Sequence, residues 1–280
     1  MSARAGSGDP LTYIANLVAV AGGSVAQLVR PPSHSRRAVA ARRLARHSLV
    51  MTALLSIVIV AMMYVLDAHE IRLMPERGTP SLWPVRILTE LGKDAYVLTA
   101  LGGMLLVVGA ISAALRGTLR ADLLGFGTRL QFLFFAVLTP LLLGEVLKWI
   151  VGRGRPFVGG EANPFHFVPF SGTGAYSSFP SAHSITAFAL AFAVSAVWPR
   201  ARLLMIVYAL VIAGTRLLLL SHHPSDVVAG ALIGVIGAMS VRYWFAARRL
   251  GFAIRRDGEI VPLRSLSGHS KRVARMPSAP

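Results

Sequence analysis

The chain has 280 residues, 54% hydrophobic and 15% charged, with a mean hydropathy of +0.61, a composition that excludes an ordinary water-soluble enzyme. Lysine and arginine number 29 against 12 acids, a net charge of +17, which suits an anionic membrane surface, nucleic acid or a phosphate-bearing substrate. With no cysteine, disulfides, thiolate zinc sites and cysteine nucleophiles are excluded.

The first ten residues read as disordered. Residues 11–29 are apolar but diluted by Asn16, Gly22, Gly23, Ser24 and Gln27; they read as an interfacial helix rather than a seventh span. They make a poor signal peptide, because Asp9 balances the one preceding arginine. Crossing the hydrocarbon takes about 20 apolar residues. Residues 48–66 and 95–115 meet this without a charge, 130–147 with Glu145 alone and 182–198 with His183 at its start. Residues 203–220 hold Arg216 and 227–247 hold Arg242, each close enough to a segment end to reach the interface. The expected fold is all-α: a polytopic bundle of six transmembrane helices with an extra N-terminal interfacial helix. The division is a basic cytoplasmic region 1–47, a transmembrane domain 48–247 and a basic cytoplasmic tail 248–280. Residues 31–35 and the tail beyond about Gly258 look disordered.

Basic residues precede the first span (Arg30, Arg36, Arg37, Arg42, Arg43, Arg46), separate the second from the third (Arg116, Arg120, Arg129) and the fourth from the fifth (Arg200, Arg202), and follow the sixth (Arg248, Arg249, Arg255, Arg256, Lys271, Arg272, Arg275). The positive-inside rule then puts both termini in the cytoplasm and the loops 67–94, 148–181 and 221–226 outside. Topology thus accounts for much of the basic excess, and no nucleic-acid module is needed.

Those outer loops gather the reactive residues in three blocks: Lys148 through Arg155-Pro156, Pro180-Ser181-Ala182-His183, and Arg216 through His222-His223-Pro224-Ser225-Asp226. Alone, Lys148 reads as an interfacial anchor. Arg216 interrupts an apolar run, and an anion is the obvious partner for it. Pro180 suits a first helical turn, which would point the N–H groups of Ser181, Ala182 and His183 at an anion; an ordinary helix start capped by Ser181 accounts for the same residues. Pro224 starts the sixth helix and puts Asp226 four residues from His222, spaced to accept its Nδ1 proton and leave Nε2 as a nucleophile. His223 is given no role.

This combination resembles the type 2 phosphatidic acid phosphatase superfamily, membrane lipid phosphatases related to vanadium haloperoxidases and bacterial acid phosphatases. Its pattern is Lys, six residues, Arg-Pro; Pro-Ser-Gly-His; Ser-Arg, five residues, His, three residues, Asp. Here Ala182 replaces the usual Gly and Thr215 the usual Ser, and neither change removes a reactive group. The resemblance implies that His222 attacks phosphorus to form a phosphohistidine, Asp226 orients it and His183 protonates the leaving oxygen. Lys148, Arg155, Arg216, the Ser181 hydroxyl and the Ala182 N–H would hold the phosphate oxygens. It implies no metal and no cofactor. The expected activity is hydrolysis of a phosphate or diphosphate ester of a lipid: a polyprenyl diphosphate, phosphatidylglycerophosphate, phosphatidate or lipid A phosphate. The expected location is a bacterial inner membrane, with the active site outside. Phosphotransfer to a second lipid and anion transport stay open as alternatives.

Three further features read as structural. Gly230, Gly234 and Ala238 form a small-residue stripe for close helix packing. Asp67, His69 and Glu70 read as an interfacial polar collar, and the loop 157–179 as a roof over the pocket.

Overall fold

A computed structural model describes residues 10–75, 78–160 and 163–263. Of the described residues, 74% are helical. The helices in order are α1 (Pro10–Val29), α2 (Arg37–Val65), α3 (Asp67–Leu73), α4 (Trp83–Glu90), α5 (Asp94–Ala114), α6 (Gly117–Val151), α7 (Ala182–Val197), α8 (Arg202–Leu218) and α9 (Pro224–Ala247). The strands β1 (Phe252–Ile254) and β2 (Ile260–Pro262) form a short antiparallel hairpin.

Among the described residues six helical stretches are long and apolar enough to cross a membrane, the number expected, but the set differs. The N-terminal helix α1 qualifies, whereas α7 is only 16 residues long. The contacts of α1 run from Tyr13 Oη on the Ala110 carbonyl and Asn16 on the Ala113 carbonyl, near the end of α5, to the Leu28 carbonyl, which accepts from Trp244 near the end of α9. A helix of about 30 Å standing along the bundle would reach both ends; these contacts of α1 lie at one.

The short α7 is the centre of the bundle, packed by α6, α8 and α9. Its buried positions Ala187, Ala189 and Ala193 are small, which lets neighbouring backbones approach. A Cβ at Gly230 would lie 2.5 Å from the Ser181 carbonyl oxygen and one at Gly234 2.5 Å from that of Ile185, so the α9 stripe is a packing device, as expected. One turn on, Gly237 faces Pro140 of α6. This three-way contact fixes the starts of α7 and α9 side by side, where the second and third motif blocks lie.

Two stretches expected to be disordered are packed. The N–H groups of Ser33 and His34 both donate to the Ala247 carbonyl at 3.0 Å, and buried His34 accepts from the Ile254 N–H. Beyond Gly258, residues 260–262 pair as β2 with β1, whose Phe252 stacks edge-on against Phe132 in the main core. A strand of three residues with alternate burial gives almost no sequence signal, and the tight turn at Gly258 (φ +83°) is what closes it. The sequence 1–9 and the tail from residue 264 lie outside the described residues.

Candidate active site

Helix α6 ends where the first block begins. Gly152 adopts the left-handed conformation (φ +57°) and its N–H closes the helix on the Lys148 carbonyl. A Cβ there would sit 1.9 Å from the Val168 carbonyl oxygen, so only glycine lets the following loop fold back. That loop is tied down by Val168 N–H on the Gly152 carbonyl at 2.7 Å, Gly154 N–H on that of His166, Arg155 N–H on that of Ala175 and Ser178 N–H on that of Arg153. The Arg155 guanidinium also donates Nε–H to the Gly174 carbonyl.

In the second block, α7 starts at Ala182 with Ser181 as its N-cap, and Pro180 lies outside the helix. The Ser181 N–H, expected to face an anion, is committed to the Asp226 carbonyl at 3.1 Å. The first-turn N–H groups of Ala182 and His183 remain, with no acceptor one turn back in their own helix.

In the third block Pro224 is the first residue of α9, as expected, and His223 is its N-cap. Asp226 does not take the Nδ1 proton of His222. Its Oδ2 accepts from the His223 N–H at 2.9 Å and from the Ser178 hydroxyl at 2.6 Å, and its Oδ1 from Arg153. The acceptor beside His222 Nδ1 is the Ser178 carbonyl, at 2.7 Å. The reason is positional: a four-residue spacing aligns two side chains only inside a helix, and His222 precedes the cap.

A carbonyl oxygen can only accept, so this contact puts the proton on Nδ1 and leaves the lone pair on Nε2. His222 is 3% exposed; burial first, then Arg216 and Arg155, holds its pKa well below the usual histidine value. The ring is therefore neutral at physiological pH. Arg216, Lys148 and Arg155 act electrostatically on both His222 and His183. All three blocks thus meet at one end of the bundle. Arg216, itself buried, donates Nη1 to Thr89 Oγ1 at 2.9 Å, and Lys148 pairs with Glu145.

Sequence reasoning missed the network beneath the histidines. Arg153 is fully buried between two carboxylates, with Nη2 2.8 Å from Asp67 Oδ2 and Nη1 bonded to Asp226 Oδ1 and, at 2.7 Å, to Ser225 Oγ. Its Nε and Nη2 also donate to the Pro164 carbonyl. Asp67 takes the Ser225 N–H at 3.0 Å as well as its hydroxyl. Asp67 is thus more than part of an interfacial collar: it is fully buried and joins α3 to the first and third blocks. Buried His223 adds a tether, its Nε2 3.3 Å from the Gly154 carbonyl. Lys93, in the α4–α5 turn, is a further cation acting on His183. The only sequence signals for these residues were an arginine between two glycines inside the first block and an aspartate leaving the first span.

Residues 129–250, which contain all three blocks, match the family model described as the PAP2 superfamily. Among curated proteins, lipid A 1-phosphatase from Rhizobium johnstonii is 39% identical over 127 residues, 45% of this chain and 52% of that protein. The lipid A 1-phosphatase of Rhizobium etli is 37% identical over 127 residues, 45% and 55% of the two chains. A lipid A 4'-phosphatase from Bacteroides thetaiotaomicron is 31% identical over 121 residues, 41% and 52%. The chain spans about half the length of these relatives. No solved structure matches.

Proposed function

We propose, from the match of residues 129–250 to the PAP2-superfamily model, that the protein is an integral membrane phosphatase of lipid phosphate esters working through a phosphohistidine. The observation that carries this is the 2.7 Å contact of buried His222 Nδ1 with the Ser178 carbonyl, because it leaves an unprotonated Nε2 among cations.

In the proposed cycle the Nε2 lone pair attacks phosphorus, the N–P bond forms and the P–O bond to the lipid breaks. His183 gives its proton to the departing oxygen, so the lipid alcohol leaves neutral. Water then attacks the phosphohistidine and returns a proton to His183, and the N–P bond breaks to release phosphate. Lys148, Arg155 and Arg216, with the Ala182 and His183 N–H groups, meet the charge spread over the equatorial oxygens. A phosphate dianion entering among these cations also supplies the counter-charge that a protonated His183 needs. Asp226 is a positioning residue here, holding the Ser178 hydroxyl while the Ser178 carbonyl holds His222.

The relatives' names favour a lipid A phosphate as substrate. The arginine distribution supports cytoplasmic termini and an outward active site. The deciding experiment is purified full-length protein in detergent with lipid A, phosphatidate, phosphatidylglycerophosphate and a polyprenyl diphosphate, each assayed for free phosphate. Release from lipid A well above the others supports the reading; release from none overturns it. A transporter would release none.

A further inference from the structure

We propose that the opposite end of the bundle carries a second anion site, built by Arg242 of α9 and Arg43 of α2 for a phosphate group. Arg242 lies 18 residues along α9 from Pro224, about 27 Å at 1.5 Å per residue, so this site is separate from the one around His222. A cavity of about 250 Å³ opens there between α2, α9 and the β1–β2 turn, lined by Arg43, His47, Met239, Arg242, Gly258 and Glu259.

Charge in this cavity is out of balance. Arg242 interrupts the apolar run of α9 with its guanidinium 4.8 Å from the Phe192 ring centroid, and its Nε is buried without a hydrogen-bond partner among the described residues. A cation on an aromatic face still needs acceptors for its N–H groups. Arg43 and Arg202 add positive potential at Arg242, and among the described residues Glu259 is the acid that acts against it. That acid is shared, since Glu259 Oε2 already accepts from Arg255 at 2.8 Å. Asp257 sits 3.5 Å from Arg43 but is solvent-exposed. The sequence 264–280 contains no Asp or Glu, so the tail has no acidic side chain to offer. A phosphate oxygen set matches what is missing, as an arginine fork takes phosphate through parallel N–H bonds. The arginine-rich end is also where a membrane presents anionic headgroups. Lipid headgroup and free phosphate share this chemistry.

The test uses the purified full chain in detergent, titrated with phosphatidylglycerol, a diester with no monoester phosphate to lose, and with phosphatidylcholine, binding being read by native mass spectrometry. Phosphatidylglycerol should bind about tenfold more tightly than phosphatidylcholine, and Arg242→Gln or Arg43→Gln should each remove most of that margin. Phosphate release at the His222 site should be unchanged in both variants, so this proposal and the phosphatase reading fail separately. Competition by inorganic phosphate in wild type but not in Arg242→Gln identifies free anion as a ligand of the same site; no competition restricts the site to the headgroup. If Arg242→Gln does not fold, Arg43→Gln, altered at a half-exposed side chain, decides. Equal binding of the two lipids, or undiminished phosphatidylglycerol binding in the folded variants, overturns the proposal.

Discussion

Arg153 and Asp226 form a fully buried ion pair, with Nη1 2.5 Å from Oδ1, and the other arm of the same guanidinium reaches Asp67, 86 residues earlier in the chain. Three separate segments are thereby locked under His222. Breaking a buried pair strands the surviving charges, at a cost of about 3–5 kcal/mol. Asp67→Ala and Arg153→Met should therefore lower the thermal midpoint in detergent markedly, and Asp67→Asn, which keeps a hydrogen-bond acceptor, should lower it less. Midpoints equal to wild type in the two harsher variants would show that the network is not structural.

The two histidines should separate kinetically. His222→Ala is expected to abolish both turnover and phosphoenzyme, since the Nε2 that the proposed mechanism uses as nucleophile is gone. His183→Ala should slow turnover most for alkyl leaving groups and least for a nitrophenolate, which departs without a proton. Asp226→Asn is expected to fall between them, because it acts on His222 through Ser178. Substantial phosphate release by folded His222→Ala protein excludes the covalent route.

Much of this was legible in the sequence. Apolar runs of span length located most of the helices, and the fixed spacings of Lys148, Arg155, His183, Arg216, His222 and Asp226 pointed to the family whose model matches residues 129–250. What stayed hidden depends on contacts that no local period encodes. Asp67 looked like an interfacial acid because nothing near it in sequence pairs with it; its partner arrives from the far end of α6. The Asp226–His222 contact was misread because helical spacing was applied across the cap at His223, where the helix has not yet begun. The hairpin at 252–262 escaped because its signal is three residues per strand.

Glu70 gives a pH test that is separate from catalysis. Both of its carboxylate oxygens are buried without a partner among the described residues; burial, then the Asp67 and Asp226 charges, pushes its pKa from 4.5 up to about 7. The folded protein therefore keeps a proton that the unfolded chain releases near 4.5. With more protons bound in the native state, stability falls as pH rises from about 4.5 to about 7 and the contribution is level above that. Glu70→Gln should flatten this slope in thermal midpoints measured at pH 5, 6, 7 and 8. An unchanged slope in the variant assigns the dependence to another group.

Metal and substrate can be tested together. Lys148, Arg155 and Arg216 act electrostatically on both histidines; in the proposed mechanism the charge of the transferring phosphoryl group meets these cations, and a divalent ion among them would face like-charge repulsion. Activity is expected to persist in chelator. Vanadate, which adopts the five-coordinate geometry of the transferring group, should inhibit, because a site built for that shape and charge binds it more tightly than the ground state. The apolar helices around the site add a second requirement: each CH₂ of an acyl chain that leaves water contributes about 0.8 kcal/mol to binding or partition, so glucose phosphate should be a far poorer substrate than a lipid phosphate. Loss of activity in chelator that magnesium or zinc restores would overturn the metal-independent mechanism, and equal kcat/KM for glucose phosphate and the lipid would overturn the substrate class.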